Sequence, residues 1–576
     1  MTDRFSANST NSTAKLVPGG RFPQGSLCES LLWLLAWTLL GLALRFARLT
    51  DKAPWTDEFS TMVFSLGNSF RTVPLDRVIS LGELMQPLVP NPSAGLGDVV
   101  RNLLSESNHP PLYFALTHLW LRLFPSEAGY VSLWGVRSLS ALFGTLTVPA
   151  AFGLGWLAFH TRRAAHLAAL LMAVSPLGVY LAQEARHYTL PVLWIAASLA
   201  CLLTTVRALQ TAKAPPLWLC GGWILVNGLG IATHYFVAIA LAAEAMTLAG
   251  LALYQIRQGK FRLSAGWRRV LAVGLGTLLS GLVWLPALQG TQASELTRWI
   301  VRRDRAGLAW LTPVAQLLSG IVSMVYLLPV QAKSQAVAYA SVLVLVGLTL
   351  WTVVKLNTGL RLQAQKTPDS VFLLGGVVLS AIALFLLITY GFQRDLTVAF
   401  RYQFVFYPAV VVLAAGGLAA LGQRGQQWVI GLVLLMGLLG CLTVLANLGF
   451  QKTHRPDLLA QRIRENTNFP ALVAIAHRTH GQTGRLMGVA WAWRSQFPDA
   501  PEPRFLLAHQ AAPTAAIAPQ ILRAVQSQPR PLDLWLLNIE IPQRPALLRE
   551  LAQQNCTVLD DGTEDGYRLH HLRCQG

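Results

Sequence analysis

Along this chain the apolar residues come in blocks of about twenty separated by short polar stretches. Wound as a helix, such a block crosses the roughly 30 Å hydrocarbon core of a bilayer. Blocks at 30–49, 138–159, 164–182, 188–207, 217–233, 235–254, 268–288, 336–356, 371–390, 403–421 and 427–449 are long enough. Two further apolar runs, 110–124 and 313–330, are shorter or broken by prolines. Loop charge arbitrates between the possible topologies, because Lys and Arg collect on the cytoplasmic side. If both short runs lie in the interface or re-enter, the acid-free basic loop 255–269 falls inside, together with Arg162/Arg163, Arg207/Lys213, Lys355/Arg361/Lys366 and Arg424. The pattern therefore predicts about eleven crossings, with eleven to thirteen allowed by the two short runs. Lys15 and Arg21 before the first block favour a cytoplasmic N terminus, while Arg45 and Arg48 beyond it pull the other way.

Residues 1–29, rich in Ser, Thr, Asn and Gly, are expected to form a disordered cytoplasmic tail. Residues 30–450 form the membrane domain, whose large first outer loop spans 50–137. After 450 the character changes: "ALVAIAH", "RFLLAH" and "DLWLLN" are short buried strands alternating with helical runs near 515–527 and 544–554, and "CTVLDDG" with "YRLHHLRC" is a closing hairpin. This predicts a small soluble α/β domain over 451–576, on the outer side. Cys556 and Cys574 stand at opposite ends of the hairpin, either as a disulfide or as two buried thiols.

Composition agrees: 576 residues are 53% hydrophobic and 13% charged, with a mean hydropathy of +0.45, as in a polytopic α-helical membrane protein. A formal charge of +19 raises the question of nucleic acid. The basic residues, however, sit in short loops between apolar blocks, where they act as topology signals and contacts to anionic membrane lipids. No nucleic-acid module is evident, and nucleic acid is not an expected partner. Six scattered cysteines without a CxxC pair give no metal site. "GQTGRLMG" at 481–488 lacks the nucleotide-binding glycine patterns and is assigned no nucleotide.

The topology places several polar motifs on one outer face: "WTDEF", "NHPPLYF", "QEARHYTL", "THYF", the loop 289–312 and "FRYQF". Asp57 and Glu58 open a short helix beside Trp55 and Phe59. They either cap it or form a partly desolvated carboxylate pair whose pKa is raised toward that of a general base. His109, before two prolines, is an incidental helix-start residue or a polar contact to substrate. Glu184, Arg186, His187 and Tyr188 cluster between two spans, where Arg and His bind a phosphate by charge-assisted hydrogen bonds or snorkel to headgroups. His234 lies in a tight turn, and Arg401 opens a span beside Tyr402. Glu244 within a span needs a partner, an interhelical hydrogen bond or a proton path. The loop 289–312, carrying Glu295, Arg298, Arg302, Arg303, Asp304 and Arg305, is a basic lid or a solvated amphipathic helix.

The order of "TDE" after the first span, "HPPLYF", "SPLGVYLAQEARHYTL", "THYF" and "RYQF" resembles the GT-C membrane glycosyltransferases, in particular the branch related to protein O-mannosyltransferases and lipid A aminoarabinose transferases. The likeness covers roughly residues 30–450. It implies a hexosyl- or pentosyltransferase in the plasma (inner) membrane, with its site and C-terminal domain extracytoplasmic. Such an enzyme moves a sugar from a polyprenyl-phosphate donor to a lipid, glycan or protein hydroxyl, with inversion. By this resemblance Asp57 is the catalytic position and Glu184, Arg186 and His187 match the second outer motif. Glu58 stands beside Asp57 as the other catalytic candidate, and the residues expected to bind donor and phosphate are His109, Glu184, Arg186, His187, Tyr188, His234 and Arg401. Some relatives bind a divalent metal, yet no residue set here compels one and no cofactor is assigned. A multi-span transporter or flippase of lipid or lipid-linked glycan is the alternative. It predicts inverted repeats and polar residues through the bilayer depth, and neither is seen in the sequence.

Overall fold

The computed structural model describes residues 27–289, 295–302, 305–512, 516–539, 543–564 and 566–576. Most of the expected N-terminal tail, 1–26, lies outside them, and the first helix, Leu27–Phe46, begins at the described edge.

Every predicted apolar block is helical. Among the described residues seven helices are long and apolar enough to cross a membrane. The predicted span 164–182 is two helices, Arg162–Ala173 and Pro176–Ala182, bent by 53°. The break is local chemistry: Pro176 cannot continue a helix, and the Ser175 hydroxyl accepts from the Gly178 N–H to cap the second piece. Leu217–Thr233, Ala265–Leu282 and Tyr407–Gln423 complete the set of eleven. The two short runs form helices of 10 residues, Leu112–Leu121, and 12 residues, Thr312–Ser323. At 1.5 Å per residue these reach only about 15 and 18 Å, well short of a crossing.

The broken span explains a misread residue. Arg45 is fully buried and donates from Nη1 to the Ala173 carbonyl (3.2 Å) and from Nη2 to that of Met172 (2.9 Å). Those carbonyls end the first half-helix and have no helical partner, so Arg45 is an internal cap and not a topology signal. Gly178 makes room for it, since a Cβ there would lie 3.1 Å from the guanidinium and 2.5 Å from the Tyr407 hydroxyl.

The expected strands form β2 (Ala471–His477), β3 (Arg504–His509) and β4 (Leu532–Leu537), followed by the hairpin β5 (Cys556–Glu564) and β6 (Tyr567–Cys574). β2 is parallel to both β3 and β4, and β6 is antiparallel to β4 and β5. Every residue of β4 is buried, as expected of a strand covered on both faces, and its one carboxylate, Asp533, is paired with Arg573. Cys556 and Cys574, opposite each other in the hairpin register, form a disulfide.

One strand comes from elsewhere. β1 (Val78–Ile79), in the segment 50–137 after the first helix, pairs antiparallel with β3 and completes the order β1-β3-β2-β4-β6-β5. The same segment sends Phe59, Met62 and Phe64 into one core with Val473, Leu486 and Trp535. The α/β domain and the segment 50–137 therefore pack as one layer on the end of the helical bundle.

Candidate active site

Where this layer meets the bundle lies a cavity of about 780 Å³. The chain reaches it from several separate stretches: the start of helix Thr56–Ser65, the His109 turn, the 186–188 and 234–236 turns, residues 296–302 and 398–402, and the α/β domain at 453–454 and 478–485.

Asp57 occupies the first turn of its helix and turns its carboxylate to the cavity, with Oδ2 3.4 Å from Arg401 Nη2. Arg401 lies over aromatic rings, its guanidinium 5.0 Å from the Trp55 ring centre, 5.6 Å from Tyr402 and 5.8 Å from Trp299. This cation–π setting fixes an Arg without neutralising it. Among the described residues lining the cavity, Asp57 is the one carboxylate, against the guanidinium groups of Arg186, Arg298, Arg302, Arg401, Arg478 and Arg485.

Arg186 is 2% exposed. It donates from Nη1 to the Asp57 carbonyl (3.0 Å) and the Thr61 hydroxyl (3.3 Å), and from Nη2 to His109 Nε2 (2.9 Å). An Arg has no acceptor to offer, so His109 Nε2 carries the lone pair and Nδ1–H donates to the Ser107 hydroxyl at 3.0 Å. Burial first, then the positive field of Arg186, keeps His109 well below the ordinary histidine range. His234 accepts the Phe236 N–H on Nδ1 (3.0 Å), which leaves Nε2–H as a donor. Burial, then Arg186 and Arg401, lowers its pKa to about 3. Tyr188 lines the same wall, with the Arg186 guanidinium 5.8 Å from its ring centre.

Three expected site residues stand elsewhere. Glu58 is not part of the reacting pair. Its carboxylate is sealed at 0% exposure and receives Arg137 Nε (2.8 Å) and Nη2 (2.9 Å), the Ala185 N–H (2.8 Å) and the Trp55 N–H (3.4 Å). It is the capping and pairing carboxylate of the helix start. Glu184 likewise turns away from the cavity, buried against Lys452 in an ion pair. His187, 0% exposed, packs among the rings of His109, Tyr113, Tyr188 and His234. Successive residues on a tight turn or helix point in different directions, so one cluster in sequence becomes two wall residues, Arg186 and Tyr188, and two supports, Glu184 and His187.

The loop 289–312 contributes Arg298, Trp299 and Arg302 to the wall, while Arg305 is clasped by Asp395 at 2.6 Å. Arg303 and Asp304 lie outside the described residues. Sequence reasoning missed His454, Arg478, His480, Gln482 and Arg485. A signal was present: Thr479 and Gln482 make a capping box at the start of helix His480–Gln496, the T-x-x-Q signature of a helix N terminus. A divalent cation does not fit. Among the described residues no three His, Cys, Asp or Glu side chains converge, and Asp57 already faces Arg401.

Residues 108–284 match the family model described as dolichyl-phosphate-mannose-protein mannosyltransferase. No curated protein matches the chain by sequence. The crystal structure of ArnT from Cupriavidus metallidurans in the apo state aligns at TM-score 0.52, with 14% identity over 95% of this chain and 98% of that one. The same protein bound to undecaprenyl phosphate aligns at TM-score 0.50, again with 14% identity, 95% and 98% coverage. The chain has the membrane fold of ArnT. The matched stretch 108–284 holds His109, Arg186, Tyr188 and His234. Asp57 and Arg401 lie on either side of that stretch in sequence.

Proposed function

We propose that this chain is a glycosyltransferase that moves a sugar from a polyprenyl-phosphate donor to an acceptor hydroxyl, at the extracytoplasmic face of the plasma (inner) membrane. The observation that carries the reading is a single carboxylate, Asp57, facing a wall of guanidinium groups at the end of an apolar helical bundle. A polyprenyl-phosphate sugar is already activated, so no nucleotide domain is needed. What is needed is a base for the acceptor, alignment, and stabilisation of the departing phosphate.

Each element has a candidate. Asp57 takes the proton as the acceptor oxygen bonds to the anomeric carbon. The bond from that carbon to the phosphate oxygen breaks, and polyprenyl phosphate leaves with the electron pair. Attack opposite the leaving group inverts the anomeric centre. Arg401 and the His234 Nε2–H, with the charge of Arg186 behind them, stabilise the phosphate. Donors aimed where charge develops act most strongly in a water-poor site. The isoprenoid tail has an apolar exit past Phe236, Leu296, Trp299 and Ile300 on the same cavity wall. ArnT, which shares the fold, has been crystallised with undecaprenyl phosphate, a ligand of the proposed donor class.

The test is turnover by purified Asp57→Asn and Arg401→Gln with labelled polyprenyl-phosphate sugars. Loss of a general base lowers kcat by about 10²–10⁴-fold with donor binding retained, whereas Arg401→Gln raises the donor KM. Intact turnover in Asp57→Asn removes the aspartate from the chemistry and sinks the proposal.

A further inference from the structure

A second cavity, of about 330 Å³, opens in the α/β domain beside the first, within the size range of small-molecule sites, about 300–1,000 Å³. Its position follows from the sheet. β2 lies between β3 and β4 and is parallel to both. The two connecting helices cover opposite faces. His480–Gln496 packs Leu486 and Met487 against Val473, Ile475 and Phe505, and Ala518–Gln526 packs Ile521 and Val525 against Leu472, Ala474 and Leu506. The chain therefore reverses direction at β2, and the crevice outside the carboxyl ends of such strands is where open α/β sheets bind ligands.

The residues there suit an oxyanion. Ala476, Gln510 and Asn538 come from the carboxyl ends of β2, β3 and β4, and Arg478, Arg485 and Arg568 supply the charge. Among the described residues no Asp or Glu lines this cavity, and neither Arg485 nor Arg568 has an ion-pair partner. Asn538 gives its Oδ1 to the Arg568 N–H at 3.0 Å. Its Nδ2 is buried with no hydrogen-bond partner. A buried donor left without an acceptor is destabilising, and an anion in the cavity supplies one. Arg478, Gln482 and Arg485 line both cavities, so a group bound here lies next to the Asp57 site.

We propose that this crevice is a subsite for a phosphate carried by the acceptor, which anchors the acceptor while its hydroxyl enters the Asp57 cavity. The proposal rests on the transferase reading for its role, but not for its binding chemistry. Guanidinium groups grip phosphate oxygens bidentately, and the charged side chains among the described lining residues are all arginines.

The experiment uses the full-length protein in lipid nanodiscs, with inorganic phosphate as the probe. Wild type is expected to show two classes of phosphate site. Arg568→Gln abolishes one and Arg401→Gln weakens the other, which separates an acceptor phosphate from a donor phosphate. Thr563→Glu, an exposed position on the rim, places a repelling carboxylate there without touching the core and mimics Arg568→Gln if that variant folds poorly. In transfer assays with an envelope glycolipid extract, Arg568→Gln raises the acceptor KM about tenfold or more, the size of one charge-assisted hydrogen bond. Donor hydrolysis stays unchanged, and the KM difference disappears after phosphatase treatment of the extract. Phosphate binding indistinguishable from wild type in both Arg568→Gln and Thr563→Glu overturns the subsite. If wild type neither hydrolyses nor transfers the donor sugar, the transferase reading fails, and the phosphate titration still decides the subsite.

Discussion

Replacing Glu58 with Gln separates structural from chemical roles in an acidic pair whose members are adjacent in sequence. Glu58 and Arg137 are 0% and 1% exposed at the side chain, joined by contacts of 2.8 and 2.9 Å. The remaining partners of Arg137 are the Leu49 and Lys52 carbonyls, both at 2.8 Å. The substitution leaves a guanidinium buried without its counter-charge, and breaking such a pair costs about 3–5 kcal/mol. At roughly 2 °C per kcal/mol for a large domain, Tm falls on the order of 6–10 °C. Burial alone would raise the Glu58 carboxyl; the charge and hydrogen bonds of Arg137 and the Ala185 N–H outweigh it and hold it below the usual range. A lowered carboxyl contributes its full stability above the unfolded value, about 4.3, and loses it as pH falls through the folded one. The whole effect is therefore present at neutral pH. The assay is fluorescence-monitored melting in detergent at pH 7, alongside turnover per folded protein. Glu58→Gln is expected to melt early yet turn over near wild type where folded, and Glu58→Gln/Arg137→Met to recover part of the lost Tm. A variant with wild-type Tm and no turnover refutes the assignment and returns Glu58 to the chemistry.

Acid should loosen the cavity. Burial, with nearby arginines, holds His234 to about 3 and His454 to about 4, and burial holds His480 to about 4, so between pH 6.5 and 4 the unfolded chain binds protons the folded one refuses. Tm should fall as pH drops from 7 to 5, and His480→Gln should flatten the decline; an unchanged slope rejects this. Glu244 accepts the Ser198 hydroxyl at 2.7 Å, and Ser198 in turn accepts the Trp223 indole N–H at 2.8 Å. Glu244→Gln keeps an acceptor there, so stability should move by less than about 1 kcal/mol with turnover unchanged. Lost turnover would instead favour a proton path. The disulfide closes a separation of 18 residues, and Cys556→Ser/Cys574→Ser should lower the stability of the α/β domain by about 3 kcal/mol, read as faster limited proteolysis after residue 450.

The helical blocks were legible because a bilayer imposes a length that composition records directly, and β2, β3 and β4 because a buried strand is mostly apolar along its run. β1 was not, since Val78–Ile79 is a strand only by pairing with Phe505 and Leu506, more than 400 residues away in sequence. The site divided along the same line. That polar motifs from distant loops meet could be argued from topology, but which of two neighbouring acids faces the cavity could not. Asp57 and Glu58 differ by one residue step on a helix, and the partner that decides between them, Arg137, lies 79 positions on. Arg485 was hidden differently: its role depends on the α/β domain folding back onto the segment 50–137, which no local pattern announces.

The polar groups inside the bundle bear on the rival transporter reading. Transport needs polar groups that exchange partners along a path through the membrane, whereas Arg45 is committed to the carbonyls of a broken helix and Glu244 to a hydroxyl on a neighbouring helix. Each holds fixed partners in place, through the Arg45 Nη atoms and Glu244 Oε2. At one end of the bundle, six arginines line the cavity with Asp57, the one carboxylate among its described lining residues. Like charges held together in a partly buried space repel one another and lose hydration, and a ligand bearing phosphate relieves both. Two cavities sharing Arg478 and Arg485 can take two such ligands side by side. A group-transfer enzyme must hold two substrates together at one point, and a transporter need hold only one.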